Sequence, residues 1–146
     1  MNFSKRLWFW NVVLVLTLVF CAFTLILHFK NWISVNDGGI TVRSGFYNTA
    51  LLYKDIDSVV LVERIPPMER LNGFSALEKE KGIFREFKDS LTTKEVHVFV
   101  DNIKHQKLKL VYKDSFYVYL NLKDSIETVE LMDALSMKIE PQQEPN

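Results

Sequence analysis

The feature that most restricts what this chain can fold into is an uncharged run near its N-terminus. Residues 7–29 read LWFWNVVLVLTLVFCAFTLILHF and contain no Asp, Glu, Lys or Arg. As a helix rising about 1.5 Å per residue, the run is about 34 Å long, enough to cross a hydrocarbon core of about 30 Å. Trp8 and Trp10 lie at one end and Trp32 follows the other, as is typical of membrane interfaces. The run predicts a transmembrane helix over residues 7–29, preceded by a tail of residues 1–6.

Two other uses of an apolar N-terminus fit less well. A cleaved signal peptide has an apolar region of about 7–15 residues and a small-residue cleavage site, whereas this run is longer and ends in bulky residues. A lipid-modified Cys21 is also disfavoured, because Phe20 stands where a small residue is expected. We therefore expect an uncleaved anchor whose residues 7–29 lie in a lipid bilayer.

The flanking charges bear on the orientation of this anchor. Lys5 and Arg6 precede the run closely, while Lys30 and the more distant Arg43 follow it. Cationic residues near a span favour the cytoplasmic side. The sequence thus favours a cytoplasmic N-terminus and an exported domain.

Charge and residue spacing exclude several classes of function. The chain has 18 basic and 18 acidic residues, and acidic residues outnumber basic ones after Lys30, so no nucleic-acid partner is expected. The spacing of His28, His97 and His105 predicts no metal site, and we expect no cofactor. No arrangement typical of a nucleophile with its base occurs, so the sequence predicts no catalytic residues and a protein that is not an enzyme. The alternation around His97 indicates a structural strand residue.

Beyond a short linker at residues 30–35, the pattern changes to that of β-strands. Apolar and polar residues alternate in short segments joined by polar turns, which is typical of an antiparallel meander. The segments are GITVRSGF, YKDIDSVVLVERI, GIFREF, EVHVFVD, KLKLVYKD and SFYVYLNL. Their number and length predict about seven strands.

A helix is expected to close the domain. Asp124 is a suitable N-cap, and Glu127 stands three residues later, where it can return the hydrogen bond. An apolar stripe follows, formed by Ile126, Val129, Met132, Leu135 and Ile139. Pro141 is expected to end the helix, which leaves residues 140–146 as a disordered tail.

This order of elements resembles the bacterial pleckstrin-homology-like (PH-like) domain over roughly residues 36–139. The likeness rests on YKDIDSVVLV before a proline-marked turn, then RLNGF, the glycine-led strand KGIFREF, two further strand pairs and the last helix. It implies a bent, seven-stranded antiparallel sheet or open barrel, capped by the C-terminal α-helix. The protein would then be a single-pass protein of the bacterial cell membrane.

On that fold, residues 66–81 would be a strand connection at the barrel corner. Gly73 would supply a positive φ, and Gly82 would begin a strand where a side chain is too crowded. Leu71, Phe74 and Leu77 would pack the connection against the sheet. The alternating charges of residues 78–81 indicate a solvated face. A phosphate-binding loop is disfavoured, because Gly82 leads into a strand and not into a helix.

Two functional classes remain. The first is an interaction module that holds a protein partner, or copies of itself, through exposed sheet edges or an aromatic ladder of Phe99, Tyr117 and Tyr119. The second is a small-ligand or lipid-headgroup sensor at the mouth of the barrel.

Three arginines are candidate lipid contacts. The first hairpin offers only Arg43 as a basic residue, where the eukaryotic relatives of this fold carry a basic cluster. Arg64 and Arg70 could contact a headgroup, or they could be surface arginines paired with Glu63 and Glu69.

Overall fold

We describe a computed structural model of the chain that covers residues 3–87 and 94–143. Its first element is helix α1 (Phe3–Phe29), which begins inside the residues expected to be a tail. The segment Lys5–Phe29 is long and apolar enough to cross a membrane, and none of its most apolar stretch is buried in the structure. The apolar length of α1 is therefore available to a bilayer.

A small antiparallel sheet follows α1 almost at once. It consists of β1 (Trp32–Val35), β2 (Gly39–Ser44) and β3 (Tyr47–Leu52), in that order. β1 occupies most of residues 30–35, so the prediction of a linker there is wrong. The reason is pairing with β2, which runs from Trp32 opposite Arg43 to Val35 opposite Ile40.

A larger sheet follows a single 3-10 turn, Tyr53–Asp55. Its strands are β4 (Ile56–Val62), β5 (Met68–Ala76), β6 (Lys79–Glu86), β7 (Val96–Val100), β8 (Lys107–Tyr112) and β9 (Phe116–Asn121). Their spatial order is β4-β8-β9-β7-β6-β5. The mainly β class with an N-terminal apolar helix and a C-terminal helix is confirmed.

The pairing departs from a simple meander at one point. β9 lies between β7 and β8, and it pairs in parallel with β7, from Val96 opposite Tyr117 to Val100 opposite Asn121. The expected antiparallel arrangement is thus wrong for this pair, because the chain skips one position between β7 and β8 and fills it with β9. The described residues form nine strands in two sheets, where about seven were expected.

Residues 66–81 form most of a hairpin and not a corner loop. Gly73 lies opposite Gly82, with φ of 150° and 137°. A Cβ on either glycine would overlap the backbone of the facing strand, so both serve the close approach of β5 and β6. Leu77 lies at the hairpin tip with φ of 56° and is 97% exposed. The expected packing of Leu77 against the sheet is wrong.

The larger sheet is buried on both faces. One face packs against the small sheet and the C-terminal helix, through a core that includes Ile40, Val42, Leu51, Phe99, Leu108, Leu110, Val118 and Leu120. The other face carries Phe84, Val96, Val98, Val100 and Tyr119. Ile65 and Met68 pack over that second face, because the connection from β4 to β5 crosses it.

Helix α2 (Ser125–Gln143) closes the domain. Asp124 caps it as predicted, since its Oδ1 accepts a hydrogen bond from Ile126 N at 2.8 Å. The predicted stripe is confirmed at Leu135 and Ile139, which are buried together with Thr128 and Leu131, but it is wrong at Ile126 and Val129, which are exposed. Three-residue steps drift around a helix of 3.6 residues per turn, so the first part of the predicted stripe lies off the buried face. The helix also continues two residues past Pro141, where it was expected to end.

Candidate functional site at the foot of α1

The C-terminal end of α1 enters the β domain through a buried polar cluster. We call this the helix-foot cluster, formed by Asn31, Lys79, Lys81, Asp101 and Asn121. Lys81 Nζ lies 2.7 Å and Lys79 Nζ 3.2 Å from Asp101 Oδ1. Asp101 Oδ2 accepts a hydrogen bond from the backbone N of Asn31 at 2.9 Å. One carboxylate thus joins strand β6 to the chain just after α1.

Lys81 also reaches the helix itself. Its ammonium donates to the His28 carbonyl at 3.2 Å, one of the carbonyls that the end of a helix leaves without an intrahelical donor. A cation at this position also opposes the negative end of the helix dipole. The side chain of Lys79 lies 5.0 Å above the Phe29 ring. Two lysines of one strand therefore hold the last turn of α1.

The ion pair at the centre of the cluster is buried from solvent. The side chains of Lys81 and Asp101 are 0% and 1% exposed. Burial lowers the pKa of Lys81, and the hydrogen bond and charge of Asp101 offset part of that shift. The prediction that residues 78–81 form a solvated face is wrong for Lys79 and Lys81, because both lysines turn inward toward Asp101.

Two asparagines complete the cluster. Asn31 Nδ2 donates to the carbonyls of Phe99 and Asn121, at 2.6 and 2.9 Å, and so binds the ends of the parallel strands β7 and β9. Asn121 Oδ1 accepts from the backbone N of Asp101 at 2.8 Å and of Asn102 at 3.1 Å. These bonds hold the start of the β7–β8 loop, which presents the Asp101 carboxylate to the lysines.

Aromatic side chains contact the last turn of α1 on another side. The His28 ring packs against Phe46 at 5.0 Å and Phe74 at 5.7 Å between centroids. The backbone N of Gly45 donates to the Leu27 carbonyl at 3.1 Å. Gly45 has a φ of 59°, and a Cβ there would overlap the His28 ring. The β2–β3 turn therefore fits the helix end only with glycine at this position.

Beside the cluster lies a groove of about 800 Å³ between the end of α1, β1 and the start of α2. Its lining mixes aromatic, aliphatic and charged side chains: Phe29, Lys30, Asn31, Trp32, Ile33, Asp101, His105, Leu122, Lys123, Asp124 and Glu127. Asn31 Oδ1 and His105 Nδ1 are buried and have no hydrogen-bond partner within residues 3–87 and 94–143. The groove is large enough for a small polar ligand.

The predicted aromatic ladder is not formed. Phe99 and Tyr119 are 0% and 2% exposed, so both belong to the core and do not offer a contact surface. The pairing of β7 with β9 places Tyr117 and Tyr119 on the face of Val96 and Val98, and Phe99 on the other face. Tyr117 is half-buried and lies under Lys109, whose Nζ is 4.3 Å from the ring centroid.

The three predicted arginines lie on separate elements and are all exposed. Arg43 on β2 lines a smaller cavity of about 340 Å³ together with Trp32 and Ile33. Arg64 follows β4, and Arg70 lies on β5. Their expected partners bind elsewhere: Glu69 Oε2 lies 2.6 Å from Arg85 Nη2, and Glu63 accepts a hydrogen bond from Gln106.

Two further polar side chains, Lys107 and His97, join separate elements of the domain. Lys107 is 2% exposed, and its ammonium donates to the carbonyls of Glu63 and Ile103; burial lowers its pKa. His97 Nδ1 lies 2.6 Å from Thr49 Oγ1 and so links the two sheets. Burial lowers the pKa of His97, and Glu95 opposes the shift. Within the described ranges, no group of three or more His, Cys, Asp or Glu side chains could hold a metal ion.

The chain was compared with known proteins at three levels. No family model, no curated protein and no solved structure matches it.

Proposed function

We propose that this chain is a membrane-anchored, non-enzymatic PH-like module that holds a protein partner, or further copies of itself, at the membrane surface. The observation that carries the proposal is the buried junction of Asn31, Lys81 and Asp101 between α1 and the β domain. A flexible tether needs no such junction. A junction fixed by buried charges sets the orientation of the domain relative to the bilayer.

The anchor itself is supported by the composition of α1 and by its exposure. The residues that form its most apolar stretch are uncovered by the β domain, and uncovered apolar surface of this extent needs lipid or protein around it. We place the protein in the bacterial cell membrane with α1 as its single span. The closer flanking cations, Lys5 and Arg6, favour an exported domain.

The PH-like part of the proposal is supported by the sheet architecture and by α2. Two sheets enclose one core, and α2 packs Leu131, Leu135 and Ile139 into it. Strand β1 and the parallel pairing of β7 with β9 differ from the seven-stranded antiparallel sheet that the resemblance implies. We interpret β1 as an addition to a PH-like core and the parallel pairing as a local departure from it.

The outer edge of β5 is the surface that best fits a partner. β5 is the last strand of its sheet, and within the described residues no strand pairs with its outer edge. It is nine residues long and mostly exposed. By contrast, α2 packs against β4 at the other end of the sheet. An extended peptide, or the β5 of a second copy, can add its backbone hydrogen bonds to such an edge.

A matched pair of substitutions tests this edge. Leu71 lies at the irregularity in β5 and is 43% exposed, while Val60 on β4 is 45% exposed. Full-length protein in detergent would be analysed by light scattering and by co-purification of partners. Leu71→Lys should remove self-association or partner binding, because charged edge residues oppose strand addition, and Val60→Lys should retain both. A native protein that is monomeric and without partners would contradict the proposal, and so would equal behaviour of the two variants.

Ligand sensing is the second candidate function. It is favoured by the volume of the groove beside the helix foot and by its mixed apolar and charged lining.

A further inference from the structure

Four of the six leucines in residues 7–29 lie on one face of α1. They belong to a row that advances by four and three residues in turn, which we call the leucine seam: Leu7, Asn11, Leu14, Leu18, Cys21 and Leu25. The valines, the isoleucine and the phenylalanines of the same run all lie off this row. Alternating steps of three and four residues place side chains between two helices that pack at a small crossing angle. The seam thus has the spacing of a helix–helix interface.

The β domain leaves the leucine seam uncovered. The next position of the spacing, His28, packs against Phe46, and the neighbouring Leu27 carbonyl accepts a hydrogen bond from the backbone N of Gly45. These contacts end the seam at Leu25, which is 71% exposed. All six seam residues are exposed within the described part of the chain. In a bilayer the seam is therefore covered either by lipid or by another helix.

Asn11 is the residue of the seam that distinguishes these two neighbours. It lies seven residues before Leu18, the middle of residues 7–29, so it is about 10 Å from the bilayer centre, inside a hydrocarbon core that extends about 15 Å to each side. Its amide has no hydrogen-bond partner within residues 3–87 and 94–143. By contrast, the hydroxyls of Thr17 and Thr24 donate to carbonyls of their own helix, each at 2.9 Å. Asn11 alone among these three polar side chains needs a partner from outside the helix, because an unpaired amide in hydrocarbon is costly.

The partner that fits this amide is the same amide of a second copy. A carboxamide carries both donors and an acceptor, so two Asn11 side chains can satisfy one another. They meet only if the helices run parallel and in register, and copies inserted with the same orientation do run parallel. Lipid tails are as apolar as leucine, so the leucines supply packing and shape, and the amide supplies the preference for protein over lipid.

We infer that two copies of this chain associate in parallel through the leucine seam of α1, with their Asn11 amides hydrogen-bonded to each other. This inference rests on the membrane anchoring of the proposed function and deepens its self-assembly, but it does not depend on the edge of β5. A pair of this kind holds two β domains side by side on one surface of the membrane. It thereby raises the local concentration of any binding surface that the domains carry.

Cys21 makes the seam measurable, because the two Cys21 thiols of such a pair face each other. Purified full-length protein would be placed in phosphatidylcholine vesicles and oxidised with copper phenanthroline in air, and disulfide-linked dimers would be quantified on gels at increasing lipid dilution. The matched control is the double variant Cys21→Ser with Phe23→Cys, whose thiol lies about 200° around the helix. We expect at least tenfold more cross-linked dimer from the native thiol than from the control at every dilution.

Two substitutions of polar residues separate the amide pair from general apolar contact. Asn11→Leu should lower the association constant about tenfold, as expected for the loss of the hydrogen bonds between two helices. Thr17→Val should leave association unchanged, since that hydroxyl already bonds within its own helix. Leu71→Lys, on β5, should also cross-link like the native protein. An excess of detergent micelles separates weakly associated helices by dilution, so light scattering in detergent reports on β5 and cross-linking in vesicles reports on the seam.

The inference is overturned by equal cross-linking of the native and opposite-face thiols, by native cross-linking in Asn11→Leu, or by an equal loss in Asn11→Leu and Thr17→Val. Loss of cross-linking in Leu71→Lys would place self-association at β5 and overturn the seam alone. Failure of the chain to enter vesicles would overturn the anchoring of the proposed function as well.

Discussion

The two helices of this protein meet the same β domain in opposite ways. Helix α2 lies on the sheet through apolar side chains such as Leu135, which is 0% exposed. Helix α1 is held at its end by a buried ion pair, Lys81 with Asp101, and by Asn31. Apolar contact is strong but tolerant of small shifts, whereas buried hydrogen-bonded charges require one geometry. The comparison indicates that α2 stabilises the β domain, and that the contacts at the end of α1 fix the angle between α1 and that domain.

The strongest way to break the polar junction is to neutralise Asp101. Asp101→Asn keeps the shape of the side chain but leaves Lys81 buried without a counter-charge. Removing one partner of a buried pair typically costs about 3–5 kcal/mol. Urea unfolding of the full-length protein in detergent micelles would measure this loss. A loss below about 1 kcal/mol, the range of an exposed pair, would show that the pair is not dry.

The packing of α2 against the sheet can be tested by substitutions at two positions on that helix, one buried and one exposed. Leu135→Ala removes a fully buried side chain and should cost about 2–5 kcal/mol. Ile126→Ala removes a side chain that is 66% exposed, so its cost should stay within about 0.5 kcal/mol. The same urea experiment decides the result. Equal costs would show that Ile126 is buried as Leu135 is, which would contradict the observed packing of the helix.

Tyr119 reports on the second face of the sheet through its pKa. Burial, followed by the charges of Glu86 and Tyr117, raises the pKa of Tyr119 from the ordinary tyrosine value of 10.0 to about 12. Between these pH values the unfolded tyrosine loses its proton first, so the free energy of unfolding falls by up to about 1.4 kcal/mol per pH unit.

Tyr119→Phe should therefore remove this alkaline loss. The difference in the free energy of unfolding between Tyr119→Phe and the native protein should grow between pH 10 and pH 12. Below about pH 9 it should stay constant, because a tyrosine with a pKa of about 10 is then almost fully protonated. Leu135→Ala changes no titratable group and should keep the slope of the native protein. Parallel slopes for Tyr119→Phe and the native protein would contradict the burial of the phenol.

The smallest effect is expected at Glu78, only three residues from Lys81. Glu78 pairs with Lys104 at the surface, and that hydrogen bond and charge lower the pKa of Glu78. Glu78→Gln should leave the free energy of unfolding close to that of the native protein, because exposed ion pairs contribute little. A loss as large as that of Asp101→Asn would mean that the whole charged run acts as one unit.

Residue pattern was sufficient to predict the elements whose surroundings are uniform. The length of the apolar run predicted α1, alternation predicted the strands, and Asp124 predicted the start of α2. Pattern did not predict the parallel pairing of β7 with β9, because alternation describes which side chains share a face and not which strand lies beside which.

The helix foot was harder to predict for a physical reason. Lys79 and Lys81 lie in an alternating charged run, and such runs are usually solvated, so only the position of Asp101 in space reveals the ion pair. Asn31 is a single polar residue after the apolar run, without a motif around it. The alternation of β7 predicts one open face and an exposed Phe99, yet both faces of β7 are covered.

If the buried pair of Lys81 and Asp101 fixes the angle between α1 and the β domain, that angle should be measurable as a distance between the two helices. Spin labels at two exposed positions, Leu18 on α1 and Glu130 on α2, would report this angle as a distance distribution in nanodiscs, with Cys21→Ser to remove the native thiol. We expect one narrow distribution for the native junction and for Glu78→Gln, and a broad one for Asp101→Asn. A broad distribution with the junction intact, or a narrow one that Asp101→Asn leaves unchanged, would contradict it.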